Sequence, residues 1–140
     1  MRIIALDVGT VRIGVAACDK LEIAASPHSV VRASGKPWKE IAKIAKQLEA
    51  ELIVIGLPVS LDGQEKTSCV KIREFAEELK KHTKVPIEFF DEKFTSRIAE
   101  ASLIEGGMRR EKRKDVIDAV AASLILQGYI AYKNNKGQTQ

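Results

Sequence analysis

The chain has 140 residues and a net charge of +4. That length predicts one compact domain, and 45% hydrophobic residues is the content of an ordinary soluble protein. No run approaches the ~20 apolar residues of a membrane span, and strand-like residues from Ile3 leave no room for a signal peptide, so a cytoplasmic protein without a membrane partner is expected.

In chain order, Ile3 to Val8 is an apolar run interrupted only by Asp7, the pattern of a central strand covered on both faces. Gly9 and Thr10 make a turn, and Arg12 to Cys18 resumes as a second strand. Ile23 to Val31 reads as a third, with Pro27 marking an edge strand or a bulge. Short links make these three an antiparallel meander. Trp38, Ile41, Ile44 and Leu48 recur at helical spacing. "LIVIG" (Leu52 to Gly56) is a short all-apolar strand, and a polar loop follows it. Val70, Ile72, Phe75, Ala76 and Leu79 mark a second helix. "VPIEFFDE" is a strand ending in two acids. Thr95 or Ser96 caps a third helix, which runs to about Ile104 and stops at Gly106-Gly107. After a basic loop, Ile117, Val120, Leu124 and Gly128 set one face of a last helix. The domain is expected over 1–133, with 134–140 a polar, frayed tail.

The order β-β-β-α-β-α-β-α-α predicts an α/β fold. The right-handed crossover rule makes the two late strands parallel to the first. The result is a mixed five-stranded sheet, three antiparallel strands plus two parallel, with helices on both faces. Sites in such sheets form at the carboxyl ends of the parallel strands.

Acids gather at that edge. Asp7 ends the first strand, Asp91 and Glu92 end the last, and Asp115 and Asp118 lie three residues apart near the last helix. Strand alternation puts Asp91 and Glu92 on opposite faces, so one of them joins a site, and parity does not say which. Asp115 suits a helix N-terminus, whereas Asp118 sits inside "VIDAVAA". Three clustered carboxylates repel unless a cation lies between them. Hard oxygen donors suit Mg²⁺ or Mn²⁺. Two such ions about 3.5–4 Å apart clamp a scissile phosphate. The segment "MRREKRK", with Arg109, Arg110, Lys112, Arg113 and Lys114, reads as a phosphate-contacting loop. Thr10 and Arg12 are further candidates for substrate contact. Cys18 and Cys69 share no ligand spacing and read as small buried residues. His28 and His82 read as structural or surface residues. Aromatics are only 5%, which argues for backbone and shape recognition over base stacking.

"LDVGTVRIGVA" (Leu6 to Ala16), "IGLPVSLDG" (Ile55 to Gly63), "FDEKFTS" (Phe90 to Ser96) and "DVIDAVAASLILQGYI" (Asp115 to Ile130) together resemble the YqgF or RuvX-like proteins. These are bacterial members of the RNase H-like superfamily, described as Holliday junction resolvases and as nucleases maturing the 5′ end of pre-16S rRNA. The resemblance implies a metal-dependent phosphodiesterase with Asp7, Glu92 and Asp118 as catalytic and metal-binding acids. It prefers Glu92 to Asp91 as the middle residue of an Asp-Glu-Arg motif. Lys93 replaces that motif's Arg, which keeps the charge and loses the planar fork for phosphate. Ser60 stands where the second motif has Asn. The implied partners are nucleic acid (rRNA precursor or branched DNA) and ribosomal particles, with the protein acting as a monomer or homodimer.

Two other classes remain on the sequence. "LDVGT" also resembles the first phosphate loop of the actin and sugar-kinase group, although those proteins clasp nucleotide between two lobes. A non-catalytic RNA-binding assembly factor would bind tightly and salt-sensitively without needing the acids.

Overall fold

The computed structural model describes residues 1–9, 11–19, 25–57, 67–91 and 110–138. Five strands form one sheet: β1 (Ile3–Val8), β2 (Arg12–Cys18), β3 (Ala25–Arg32), β4 (Leu52–Leu57) and β5 (Ile87–Asp91). Their order is β3-β2-β1-β4-β5. β1 pairs antiparallel with β2 and parallel with β4; β2–β3 is antiparallel and β4–β5 parallel. This is the mixed sheet expected from the element order.

The apolar runs occupy the centre. Ile3 to Leu6 and Leu52 to Leu57 are buried on both faces, as strands covered by helices on either side must be. The proline in β3 marks both of the features it can mark: β3 is an edge strand, and its pairing skips His28, with Val15 opposite Ser29 and Ala16 opposite Pro27.

Three helices cover the sheet: α1 (Pro37–Gln47), α2 (Thr67–Lys80) and α3 (Arg110–Gln138). α1 and α2 share one face. Ile41, Ile44, Cys69, Ile72 and Leu79 pack there on Ile4, Leu6, Ile13 and Ile53. On the other face, α3 presses Ala122, Ile125, Leu126 and Ile130 onto Ile3, Ala5, Ala16 and Val54.

Three expectations are corrected by α3. It starts at Arg110, so the basic stretch from Arg110 to Lys114 is helical and not a loop; Lys, Arg and Glu are good helix formers. It runs on to Gln138 and so takes in residues 134–138 of the expected tail. Its buried face is also not the one predicted. Ala119, Ala121, Ala122, Ile125, Leu126 and Ile130 are buried, whereas Val120, Leu124 and Gly128 are half-buried. The alanines, not the larger residues, let the helix approach. The helix expected over 95–104 lies outside the described residues.

Ile125→Ala, at a fully buried position, should lower unfolding free energy by about 2–5 kcal/mol. Val70→Ala, at an exposed position on α2, should stay within about 0.5 kcal/mol. Urea midpoints at unchanged m-value would measure both.

Candidate active site

Asp7 is half-buried on β1, the middle strand of the sheet. Ile3 and Ala5 pack under α3, and alternation therefore turns Asp7 to the same face. Its partner on β2 is Gly14, about 5 Å away in Cα terms for opposed antiparallel residues. Directly over Gly14 lies the backbone of α3. A Cβ built on Gly14 would overlap the carbonyl of Asp118 and stand 2.9 Å from the nitrogen of Ala119. No other residue type fits, so glycine here is a requirement of close approach.

Asp118 begins the stripe that continues through Ala122 and Ile125, at spacings of four and seven residues. Those two are buried against the sheet, so this stripe faces it. Asp118 itself is half-buried. Two acids 111 positions apart in the chain thus arrive at one strand end. One rides a central strand and the other a packed helix, and both elements are rigid.

Residues 122 to 130 of α3 lie over the body of the sheet, while Asp118 lies at the carboxyl end of β1. The first turns of α3 start eight residues before Asp118, roughly 12 Å of helix, and include the backbone of Arg110 to Lys114.

Beyond β1 on the same face come Gly56 of β4 and then β5. Leu6 pairs with Ile55 and Gly56 with Phe90, which sets Asp7, Gly56 and Phe90 in one row. Leu52 and Val54 face α3, so position 56 does too, where glycine contributes no side chain of its own between Asp7 and β5.

The faces of β5 are fixed by its neighbours. The Tyr129 hydroxyl donates to Glu88 Oε2 at 2.5 Å, and the Phe90 ring meets Tyr129 edge-on at 6.0 Å. Glu88 and Phe90 therefore face α3. Phe89 faces α2, under the guanidinium of the exposed Arg73 at 4.9 Å. Asp91 shares the parity of Phe89 and stands on the face away from Asp7 and Asp118.

Arg12 of β2 is half-buried and lies on the same face as Asp7 and Gly14. Among the described residues, no group of three His, Cys, Asp or Glu side chains could hold a metal ion. The sequence-predicted third acid, Glu92, lies outside them, as do Thr10, Lys93 and Arg109. For Arg110, Lys112, Arg113, Lys114 and Asp115 the backbone is described as helix.

Other candidates take packing roles. His82 stacks on Trp38 at 6.1 Å, and the His28 ring nitrogen lies 2.9 Å from Ser29 Oγ. Both cysteines are buried thiols. The opposite face of the same strand end holds a groove of about 360 Å³ between α1 and α2, lined by apolar residues and Lys71. Among the described residues its lining carries no carboxylate.

The family model for RuvX, described as a Holliday junction resolvase, matches residues 1–132. A relative from Fusobacterium nucleatum named "Putative pre-16S rRNA nuclease" is 47% identical over 136 residues, covering 94% of this chain and 98% of its own. One of the same name from Halothermothrix orenii is 42% identical, covering 96% and 97%. Among solved structures, the Fowlpox virus resolvase in complex with Holliday junction DNA superposes with a TM-score of 0.61 at 10% identity, covering 95% of this chain and 99% of that one. Thermus thermophilus RuvC in complex with a Holliday junction substrate gives 0.56 at 15% identity, covering 95% and 96%. At these identities the likeness is one of fold, the RNase H-like fold expected from the motifs.

Gly14→Ala should push α3 off the sheet at Asp118. An overlap with backbone falls at or above the top of the roughly 1–3 kcal/mol usual for overpacking. A urea midpoint equal to that of the parent would show that the helix does not rest on Gly14.

Proposed function

Because the chain belongs to the RuvX family, we propose that it is a divalent-metal-dependent nuclease that hydrolyses a phosphodiester bond at the 5′ end of pre-16S rRNA, with Asp7, Glu92 and Asp118 as its acids. One observation carries the reading: the backbone of Asp118 is seated on Gly14, the strand partner of Asp7. The name shared by the relatives supplies the substrate.

The donor set suits the metal. Carboxylates brought to one half-buried edge are hard oxygen ligands, the chemistry of Mg²⁺ or Mn²⁺. Bound as a pair, such ions supply an activated water and charge stabilisation at the leaving oxygen. Asp7 and Asp118 would hold them from rigid elements. Glu92 is favoured over Asp91 as the third ligand on parity: Glu88 and Phe90 face α3, and the next position in that alternation is 92. Thr10, Arg12, Lys93 and the basic residues Arg109, Arg110, Lys112, Arg113 and Lys114 would meet the phosphate backbone. The segment Arg110–Lys114 forms the first turns of the helix whose Asp118 is seated over Gly14, which favours that role.

A second reading, resolution of branched DNA, is favoured by the family's description and by the fold shared with two resolvases bound to junctions. A ribosomal particle as partner, a cytoplasmic location, and a monomeric or homodimeric state belong with the first reading. Among the described residues no helix is long and apolar enough to cross a membrane.

The test is cleavage of a labelled pre-16S 5′ stem and of a four-way DNA junction, with Mg²⁺ or Mn²⁺ and with EDTA. Preferred, metal-dependent cleavage of the RNA is expected. Asp7→Asn, Asp118→Asn and Glu92→Gln should each lose more than the ~10–100-fold typical of removing a partner that only orients a ligand. Asp91→Asn should stay near the parent rate. Unchanged turnover in Asp7→Asn would overturn the nuclease reading, and a preference for the junction would favour the second substrate.

A further inference from the structure

We propose that Arg12 and Arg32 form a phosphate track that leads the substrate backbone away from the acids toward the edge strand β3. This rests on reading the Asp7 edge as the site of cleavage.

Arg12 and Arg32 are direct partners across the β2–β3 pair. Their neighbours Ile13 and Val31 are buried against α1 and α2, so both arginines face the other way, onto the face of Asp7 and Gly14. Arg32 is exposed and Arg12 half-buried. The apolar core on this face does not extend to either residue.

The pairing depends on the bulge. From Cys18–Ala25 to Ala16–Pro27 the register is regular; it shifts by one at His28 and continues from Val15–Ser29 to Arg12–Arg32. Without that extra residue Arg12 would oppose Val31, and Arg32 would turn to the opposite face. Bulges recur where a strand must re-aim a side chain beside a site. Here the result is two guanidinium forks on neighbouring strands, each able to grip a phosphate through two hydrogen bonds.

The direction follows from charge on either side of Asp7. Toward β3 the same face offers Arg12 and then Arg32. Toward β5 it offers Gly56, Phe90 and Glu88, the last accepting a hydrogen bond from Tyr129. A polyanion leaving Asp7 meets two guanidinium groups in succession on the first path.

Arg32 is the residue to change, because an exposed side chain can be removed without disturbing the core. In an Asp7→Asn background, which keeps the RNA intact, binding of the pre-16S 5′ stem is measured from about 50 to 200 mM salt. Arg32→Ala should bind several-fold more weakly and lower the slope of log K against log salt by about 1. Arg32→Lys should restore the slope and only part of the affinity. Replacing single phosphates by methylphosphonates should locate the contact: at one position, on one side of the cleavage point, Arg32→Ala should have no further effect. An unchanged slope with Arg32→Ala, or equal coupling on both sides of the cleavage point, overturns the track and leaves the nuclease reading standing. If the Asp7→Asn protein bearing Arg32 does not bind the stem, the nuclease reading fails and the track with it.

Discussion

The approach of α3 to the sheet at Gly14 is the constraint on which the site depends. A helix normally stands off a sheet by the length of the side chains between them. Here that distance is cut to backbone contact, since a Cβ on Gly14 would meet the carbonyl of Asp118. The surrounding contacts are small as well: Ala5, Ala16 and Ala122 line the same interface. The opposite face is packed by isoleucine, leucine and valine from both partners. The two faces of one sheet thus follow different packing rules, one giving bulk to the core and the other giving proximity to the acids.

Proximity matters because the helix acid and the strand acid have no local link. Asp7 is held by pairing on both sides of β1, and Asp118 by the burial of Ala122 and Ile125 one and two turns on. Neither position can relax without unpacking its element. The free energy of ordering the two carboxylates is therefore supplied by the fold, before a cation or a phosphate arrives. Gly56 contributes by omission, adding no side chain of its own between Asp7 and β5.

Much of this was legible in the sequence. An acid inside an otherwise apolar strand marked Asp7, and the spacing of strands and helices set the topology. Pro27 announced both the edge and the bulge. Less was visible where the signal is weak or ambiguous. Two phenylalanines before Asp91-Glu92 hide the parity of β5, because either ring can be the buried one; only Arg73 over Phe89 and Tyr129 against Phe90 decide it. The buried face of α3 was misread because alanine carries less hydrophobic weight than Val120 or Leu124. The start of α3 was misread because a run of charge was taken for a loop, although its residues favour helix. Arg32 was missed for a different reason. Its face is set by a register shift at His28, and a shift of one residue inverts every side chain beyond it.

On the proposed reading, the arrangement separates two tasks between the middle and the edge of one sheet. Chemistry needs carboxylates held to fractions of an ångström, and β1, bonded on both sides and covered on both faces, holds Asp7 in that way. Gripping a polymer needs reach and tolerance. Arg32 is exposed on β3, a strand bonded along one side only, where long side chains can follow a backbone whose path varies. Arg12, half-buried on the strand between them, belongs to both tasks. On this face two arginines, Arg12 and Arg32, lie on the β3 side of Asp7. The bulge that turns Arg32 toward the acids is therefore as much a part of the site as the glycine that admits Asp118.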